Sequence, residues 1–409
     1  MSKSSLITIF TLSNGMIGSA PIVLPVLYNQ YGLINGIVFS FIICLTSCIT
    51  CLIVKKYHQK KEVDLQFVIN RILGPHLQTT FNLITIIFYI ACAQIQVIIS
   101  CSLIYSVISL FIDSAPQNVF TFTQFSYQIL GMIYILILLP TFFIKDITPL
   151  LKLPSYASLA TLLAVIFIIF KGSQTPSITI WKSNDIAVLP SVFQLAFLGH
   201  SLVVPLLSKQ DSKHKSRDII IAYILTFTIY QIVGLFGSYA LFQRTPQDGL
   251  SGYTILDYFP QSQLFVIILQ ILLFIQISLL LPIIQYVARL RFFAFFHAKN
   301  PKPYMLIIFS FMFAFICLAF EMMNLNLEVL ISYTGAIIGS IIAYFLPIAC
   351  HIKMKYFNNN KVQEFNLIES DQELNQKKIG FLEILFDCLG CGIILSIGFS
   401  VLILRFIYA

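Results

Sequence analysis

The sequence predicts an all-α integral membrane protein of eleven transmembrane helices. It is laid out as a 5+5 inverted repeat with broken helices one and six, plus one C-terminal helix. Three observations predict it. Of 409 residues, 58% are hydrophobic and only 10% charged, where a soluble domain carries about 25% charged residues. The basic residues divide unevenly between alternate loops. Two apolar segments, in corresponding halves of the chain, are interrupted by Gly, Pro and polar residues.

Each span is an apolar run that reaches across a hydrocarbon core of about 30 Å, or nearly so. The runs cover approximately 5–29, 33–54, 80–111, 126–144, 155–171, 188–208, 218–243, 262–287, 303–320, 327–350 and 381–407. With the N-terminus on the cytoplasmic side, 21 of the 25 Lys and Arg fall in inside segments; Lys171, Lys182, Arg244 and Arg405 lie outside. Dropping or merging a span scrambles that bias, so the positive-inside rule supports count and orientation together. The chain then reads as a single transporter domain: a first repeat over 5–171, a second over 188–350, a polar cytoplasmic-side loop over 351–380 and an eleventh helix over 381–407. Between spans two and three, Leu65, Val68, Ile69 and Ile72 recur at helical spacing, which predicts a short amphipathic helix at the cytoplasmic face.

This composition excludes soluble-enzyme and nucleic-acid-binding classes, because the net charge of +8 sits in short loops rather than on one face. All nine cysteines lie in or beside apolar runs, where free thiols are expected rather than a disulfide framework. Cys388 and Cys391 have C-x-x-C spacing, but an apolar helix without a second pair or a nearby His makes them packing residues. A cleavable signal peptide fits Lys3, the apolar run and Ser19-Ala20 only loosely. Asn14 and Gly15 interrupt its core, and its removal inverts the loop bias.

The interruptions carry the functional reading. Span one contains LSNGMIGSAPIVLP, and span six FQLAFLGHSLVVPLLSKQ with Gly199-His200-Ser201 at its centre. Discontinuities are expected near residues 14–20 and 197–201. Helix ends at membrane depth expose backbone groups that only a cavity or packed protein can satisfy. Paired breaks in an inverted repeat mark a transporter's midplane site. Half-helix N-termini there suit a carboxylate, and unwound carbonyls suit a cation or an amino group. No G-x-x-x-x-G-K-[ST] is present, so an ion gradient rather than ATP is the expected energy source.

In span one, Asn14, Gly18, Leu24 and Pro25 stand at the positions of an Asn-x-x-x-Gly-x-Gly…Leu-Pro pattern, with Ala20 in place of the second glycine. In span six, Ala196, Phe197, His200 and Pro205 match Ala-Phe-x-x-His…Pro. LLKLPSYASLATL, YQIVGLFGSYALF and LISYTGAIIGSIIAYFLP follow in order. Pro282 and Arg289 keep a further spacing, with Val287 at its intermediate proline. The chain thereby resembles the amino acid/auxin permease family, whose fold is LeuT-like. The resemblance implies substrate contacts at Asn14, Gly15, Gly18, Ser19 and Ala20 in span one and at Phe197, Gly199 and His200 in span six. It implies a cation site at Asn14, Ile17 and Ser278.

Single residues keep alternatives. His200 either senses protons or holds the broken helix by neutral hydrogen bonds. Gln94, Gln96 and Gln276 suit interhelical hydrogen bonds as well as ligand contacts. Asp387, inside span eleven, is a functional candidate or a snorkelling carboxylate. The leading expectation is a secondary active amino acid transporter, not an enzyme, without a cofactor and with Na⁺ or H⁺ as coupling ion. The alternative is a transporter fold retained as an accessory subunit, with partner subunits in a larger membrane complex. The bilayer is that of the plasma membrane, an endolysosomal or vacuolar membrane, or the mitochondrial inner membrane.

Overall fold

The computed structural model describes residues 3–59, 61–62, 64–115, 117, 124–144, 148–174, 188–208, 214–247, 250–296, 301–323, 325–357, 390–401 and 403. These are helical throughout apart from turns, loops and one isolated bridge between Ser114 and Phe125. Among the described residues, seven helices are long and apolar enough to cross a membrane, and an eighth if one bent pair counts as a single span. Three shorter apolar helices accompany them: Tyr127–Phe143, Leu159–Ser173 and Gly390–Val401.

The bent pair is span one. Helix α1 (Lys3–Ile17) and helix α2 (Ala20–Tyr31) meet at 52°. The local cause is legible. Gly18 takes φ +44°, in the left-handed region that favours glycine. Pro21, in the first turn of α2, has no amide to give the Ile17 carbonyl and cannot continue α1. Span two is α3 (Leu33–Tyr57). The short amphipathic helix is α4 (Leu65–Leu73), and span three is α5 (Pro75–Ile108). The apolar face of α4, Leu65, Val68, Ile69 and Ile72, is buried inside the protein. It packs on helices rather than lying on a lipid interface. Asp64, at its N-cap, accepts from Arg291 at 2.6 Å, and Glu62 pairs with Arg71 at 2.7 Å.

Spans four and five are α6 (Tyr127–Leu138), which continues as a 3₁₀ turn over Leu139–Phe143, and α7 (Thr148–Ser173). Span six is divided into α8 (Val188–Ala196) and α9 (His200–Ser208), and span seven is α10 (Lys215–Ala240). Span eight carries an interruption of its own, between α11 (Leu264–Ser278) and α12 (Leu281–Phe295). Pro282 opens α12 and withholds the amide that Ser278 would accept. Span nine is α13 (Pro303–Met322). Span ten runs from α14 (Leu327–Tyr333) through π-helical turns into α15 (Leu346–Ile352) and on to Phe357. Its helix thus passes the expected start of the polar linker at 351. The rest of that linker, with Asp387 and Cys388, lies outside the described residues. The last apolar helix is α16 (Gly390–Val401). Cys44, Cys48, Cys51, Cys92, Cys101, Cys317 and Cys350 are free thiols.

Three packed groups result, one of them joining α4 to span ten and α16. Helices α1, α2, α3, α8, α9 and α10 share the main apolar core with parts of α7 and α11. Helices α5, α6, α12 and α13 build a second core, with Phe142, Phe309 and Phe313 at its centre. Glycine sets the closest approach between span ten and α8. A Cβ on Gly335 would stand 1.9 Å from the Ser191 carbonyl oxygen, and one on Gly339 would stand 3.2 Å from Gln194 Cβ. This is the small-residue spacing by which membrane helices reach backbone contact.

Candidate functional site

The site is best built from its free carbonyls. In an unbroken helix the Met16 carbonyl bonds the amide four residues on, and so does that of Ala196. Both helices stop before that bond forms. The two stranded carbonyls converge on one hydroxyl: Tyr230 Oη donates to Met16 O at 2.7 Å and to Ala196 O at 3.2 Å. A second tyrosine one helix repeat away, Tyr223, donates to Phe197 O at 3.1 Å. Gly199 N also bonds Phe197 O, at 2.9 Å. Both tyrosines belong to α10, and Ser13 of α1 donates to Ala222 O of the same helix at 3.1 Å. Helix α10 therefore serves as the common post for the two breaks. An oxygen pair contributed by both broken spans is the arrangement that an ammonium or a small cation can share.

Phe197 is fully buried, stacked at 19° on Tyr223 and edge-on to Tyr230 with ring centroids 5.1 Å apart. His200 opens α9. Its Nε2 lies 2.8 Å from Thr50 Oγ1 of α3, and its Nδ1, also buried, has no partner among the described residues. Gly199 leaves room for Tyr223, Leu12 and Met16; a Cβ there would sit 3.1 Å from the Tyr223 hydroxyl.

The remaining predicted residues divide. Asn14 is exposed, and its backbone carbonyl accepts from Gly18 N at 3.2 Å. Gly15 faces Leu202, whose Cδ1 is 2.3 Å from where a Cβ would be. Its smallness serves the approach of α1 to α9. Gly18 and Ser19, together with Pro21 and Ile22, line a cavity of about 10 Å³ against Thr161 of α7 and Leu273, Gln276 and Ile277 of α11. Ala20 is half-buried against the main core, and Ile17 is buried in it. Ser278 accepts from Tyr134 Oη at 3.0 Å and is not among the residues lining that cavity. Of the polar residues on α11, Gln276 reaches it, with Nε2 donating to Thr161 Oγ1 at 2.5 Å. Arg289, buried, donates to the carbonyls of Phe142 and Ile144 and so caps the end of span four.

A larger opening, about 220 Å³, lies between α2, α8, the 251–258 loop and α14, with Val23, Leu27, Gln30, Val192, Tyr253 and Glu328 on its walls. Tyr31 hydrogen-bonds Glu328 at its edge. Two of its walls are the half-helices α2 and α8, so it approaches the breaks from one side of the molecule.

The family described as transmembrane amino acid transporter protein matches residues 1–382 of this chain. The chain belongs to that family. Among curated proteins, this family member is 28% identical over 174 residues to the neutral amino acid transporter 9 of Danio rerio, covering 40% of the chain and 30% of the relative. It is 26% identical over 168 residues to the protein of that name from Rattus norvegicus, with the same coverages. The match thus spans about a third of the curated relatives' length. Within this family member, sequence reasoning found both breaks but missed Tyr223 and Tyr230. Two tyrosines seven residues apart in span seven, an apolar helix, share one face, and that spacing was the available signal.

Proposed function

We propose that this chain is a secondary active transporter of neutral amino acids, working by alternating access across eleven spans in a LeuT-like 5+5 inverted repeat. The three shorter apolar helices complete the eleven crossings. The observation that carries the reading is the convergence of the Met16 and Ala196 carbonyls on one hydroxyl. The substrate ammonium takes the place of the Tyr230 proton donor at that oxygen pair, and Asn14, Gly18 and Ser19 meet the carboxylate end. No Asp, Glu, Lys or Arg is among the side chains described around the breaks, which suits a substrate with a neutral side chain. That class is also the one in the relatives' printed name.

The 220 Å³ opening supplies access to the breaks, and a coupling Na⁺ would sit in the cavity between Gly18 and Gln276, whose lining carries no titratable side chain. Na⁺ and H⁺ make different demands there. Na⁺ needs several oxygens to replace its water, whereas H⁺ needs one titratable group. A second reading has one observation in its favour: tyrosine hydroxyls already satisfy the stranded carbonyls. In that reading the fold is an accessory subunit whose site is permanently closed. Uptake of a panel of labelled amino acids into liposomes, with and without Na⁺ and with and without a pH gradient, separates the two. Accumulation under one gradient supports transport. Absence of uptake by well-folded protein supports the accessory role.

A further inference from the structure

The second helix group contains a carboxylate that the proposed site does not use. Glu321, in the last turn of α13, is 2% exposed. Its Oε2 accepts from Gln94 Nε2 of α5 at 3.0 Å, while neither its Oε1 nor Gln94 Oε1 has a partner among the described residues. Gly131 of α6 closes the pocket: a Cβ there would stand 2.5 Å from Glu321 Cγ and 2.8 Å from Oε1. The other titratable groups facing it are Cys101 of α5, Tyr127 of α6, Cys317 of α13 and Tyr253 of the 251–258 loop. None of them is a cation, and no described ion pair includes Glu321.

A charge buried at this depth without a counter-charge is costly, and the negative end of the α13 dipole adds to the cost. The two orphan oxygens are both acceptors, and they belong to two side chains already bonded to each other. One proton on the carboxyl removes the charge and supplies the donor that the pair lacks. A metal ion at the same point would find the Gln94 amide hydrogens directed at the carboxyl.

We propose that Glu321, paired with Gln94, is a proton-binding site of this protein. It takes H⁺ from the water that reaches the Met322 end of α13 and releases it toward the opposite face when the helices around the pocket rearrange. No bond changes other than the carboxyl O–H. Resting on the transport reading, the same proton is the coupling ion, carried by a site apart from the broken helices.

The test is an infrared titration of the full chain in lipid, combined with uptake under a pH gradient. We expect a carboxylic-acid carbonyl band in the wild type that is lost as pH rises and is missing in Glu321→Gln. Asp257→Asn should leave that band in place. Should Glu321→Gln fail to fold, Gln94→Leu serves, and must shift the band as the acid loses its amide partner. A Glu321→Gln protein that loses no titrating band relative to wild type, or loss of the Glu321 band in Asp257→Asn, overturns the site. In the uptake arm, the wild type should depend on the pH gradient and Glu321→Gln should lose that dependence. Uptake driven by Na⁺ alone in both overturns the coupling role. Wild-type protein that titrates but transports no amino acid leaves the proton site standing and removes the transport reading.

Discussion

Tyr230 holds a position that a ligand and the resting protein would both want. Its hydroxyl bonds one carbonyl from each broken span, so Tyr230→Phe strands two buried acceptors. Leaving such groups unpaired costs about 1–3 kcal/mol each, and thermal unfolding in detergent should show a clear loss. An unchanged transition would mean that the hydroxyl does not hold the breaks together. His200 poses a related question through Thr50, its partner at 2.8 Å. Thr50→Val keeps the shape and removes the hydroxyl, and should lower stability by about 1 kcal/mol without altering helix content. Full stability in that variant would remove the structural role of the pair. These residues also show how far single positions were legible. Asn14 and His200 stood out as polar groups in apolar runs. Tyr223 and Tyr230 did not, because an aromatic in a membrane helix commonly sits at the interface. Gly15, which the resemblance makes a substrate contact, packs against Leu202.

At the scale of elements, the breaks follow from backbone chemistry. In span one, Pro21 lacks the amide that α1 needs to continue and Gly18 adopts a positive φ; in span six, Pro205 lies inside α9 and the break falls at Phe197–Gly199 ahead of it. That was readable without any tertiary information. The break in span eight has the same local cause in Pro282, whereas the π-helical course of span ten depends on what packs against it. The close contact of span ten with α8 gives a sharp expectation. Gly335→Ala directs a methyl at the Ser191 carbonyl, 1.9 Å away, and backbone cannot yield as a side-chain tip can. The variant should be poorly folded, while Gly390→Ala, with open space around it, should behave as wild type; equal yields of the two in size-exclusion chromatography would contradict the packing. The 251–258 loop carries a pH dependence. Burial raises the Asp257 carboxyl from 3.8 to about 6, so the folded state holds its proton more tightly than the unfolded chain. Its stabilising contribution is present below about pH 4 and is lost as pH rises to about 6, by roughly 1.4 kcal/mol per unit. Asp257→Asn keeps an acceptor for Thr254 N, 3.0 Å away, and should flatten this part of the stability–pH profile. A profile identical to wild type would show that Asp257 is not its source.

For the whole molecule, hydropathy and loop charge pointed to a helical membrane protein, and the helices have the required length and composition. Seven candidates qualify outright; the rest are short or bent, so the count of eleven draws on the charge pattern as well. Glu321 shows the limit of such reading. It fell at the edge of span nine as hydropathy drew it, where a carboxylate looks like a solvent-facing end. Only the approach of α5 and α6 makes that end interior. The reading of the breaks as a binding site is the central claim, and Asn14 tests it most directly, being exposed at the break and outside the packed core. Uptake of labelled neutral amino acids into liposomes should be measured for wild type and Asn14→Ala, with thermal stability in parallel. Stability should stay within about 0.5 kcal/mol, while apparent affinity falls roughly 10- to 150-fold, the cost of one hydrogen bond to a charged ligand group. Wild-type uptake by a well-folded Asn14→Ala protein would contradict the account.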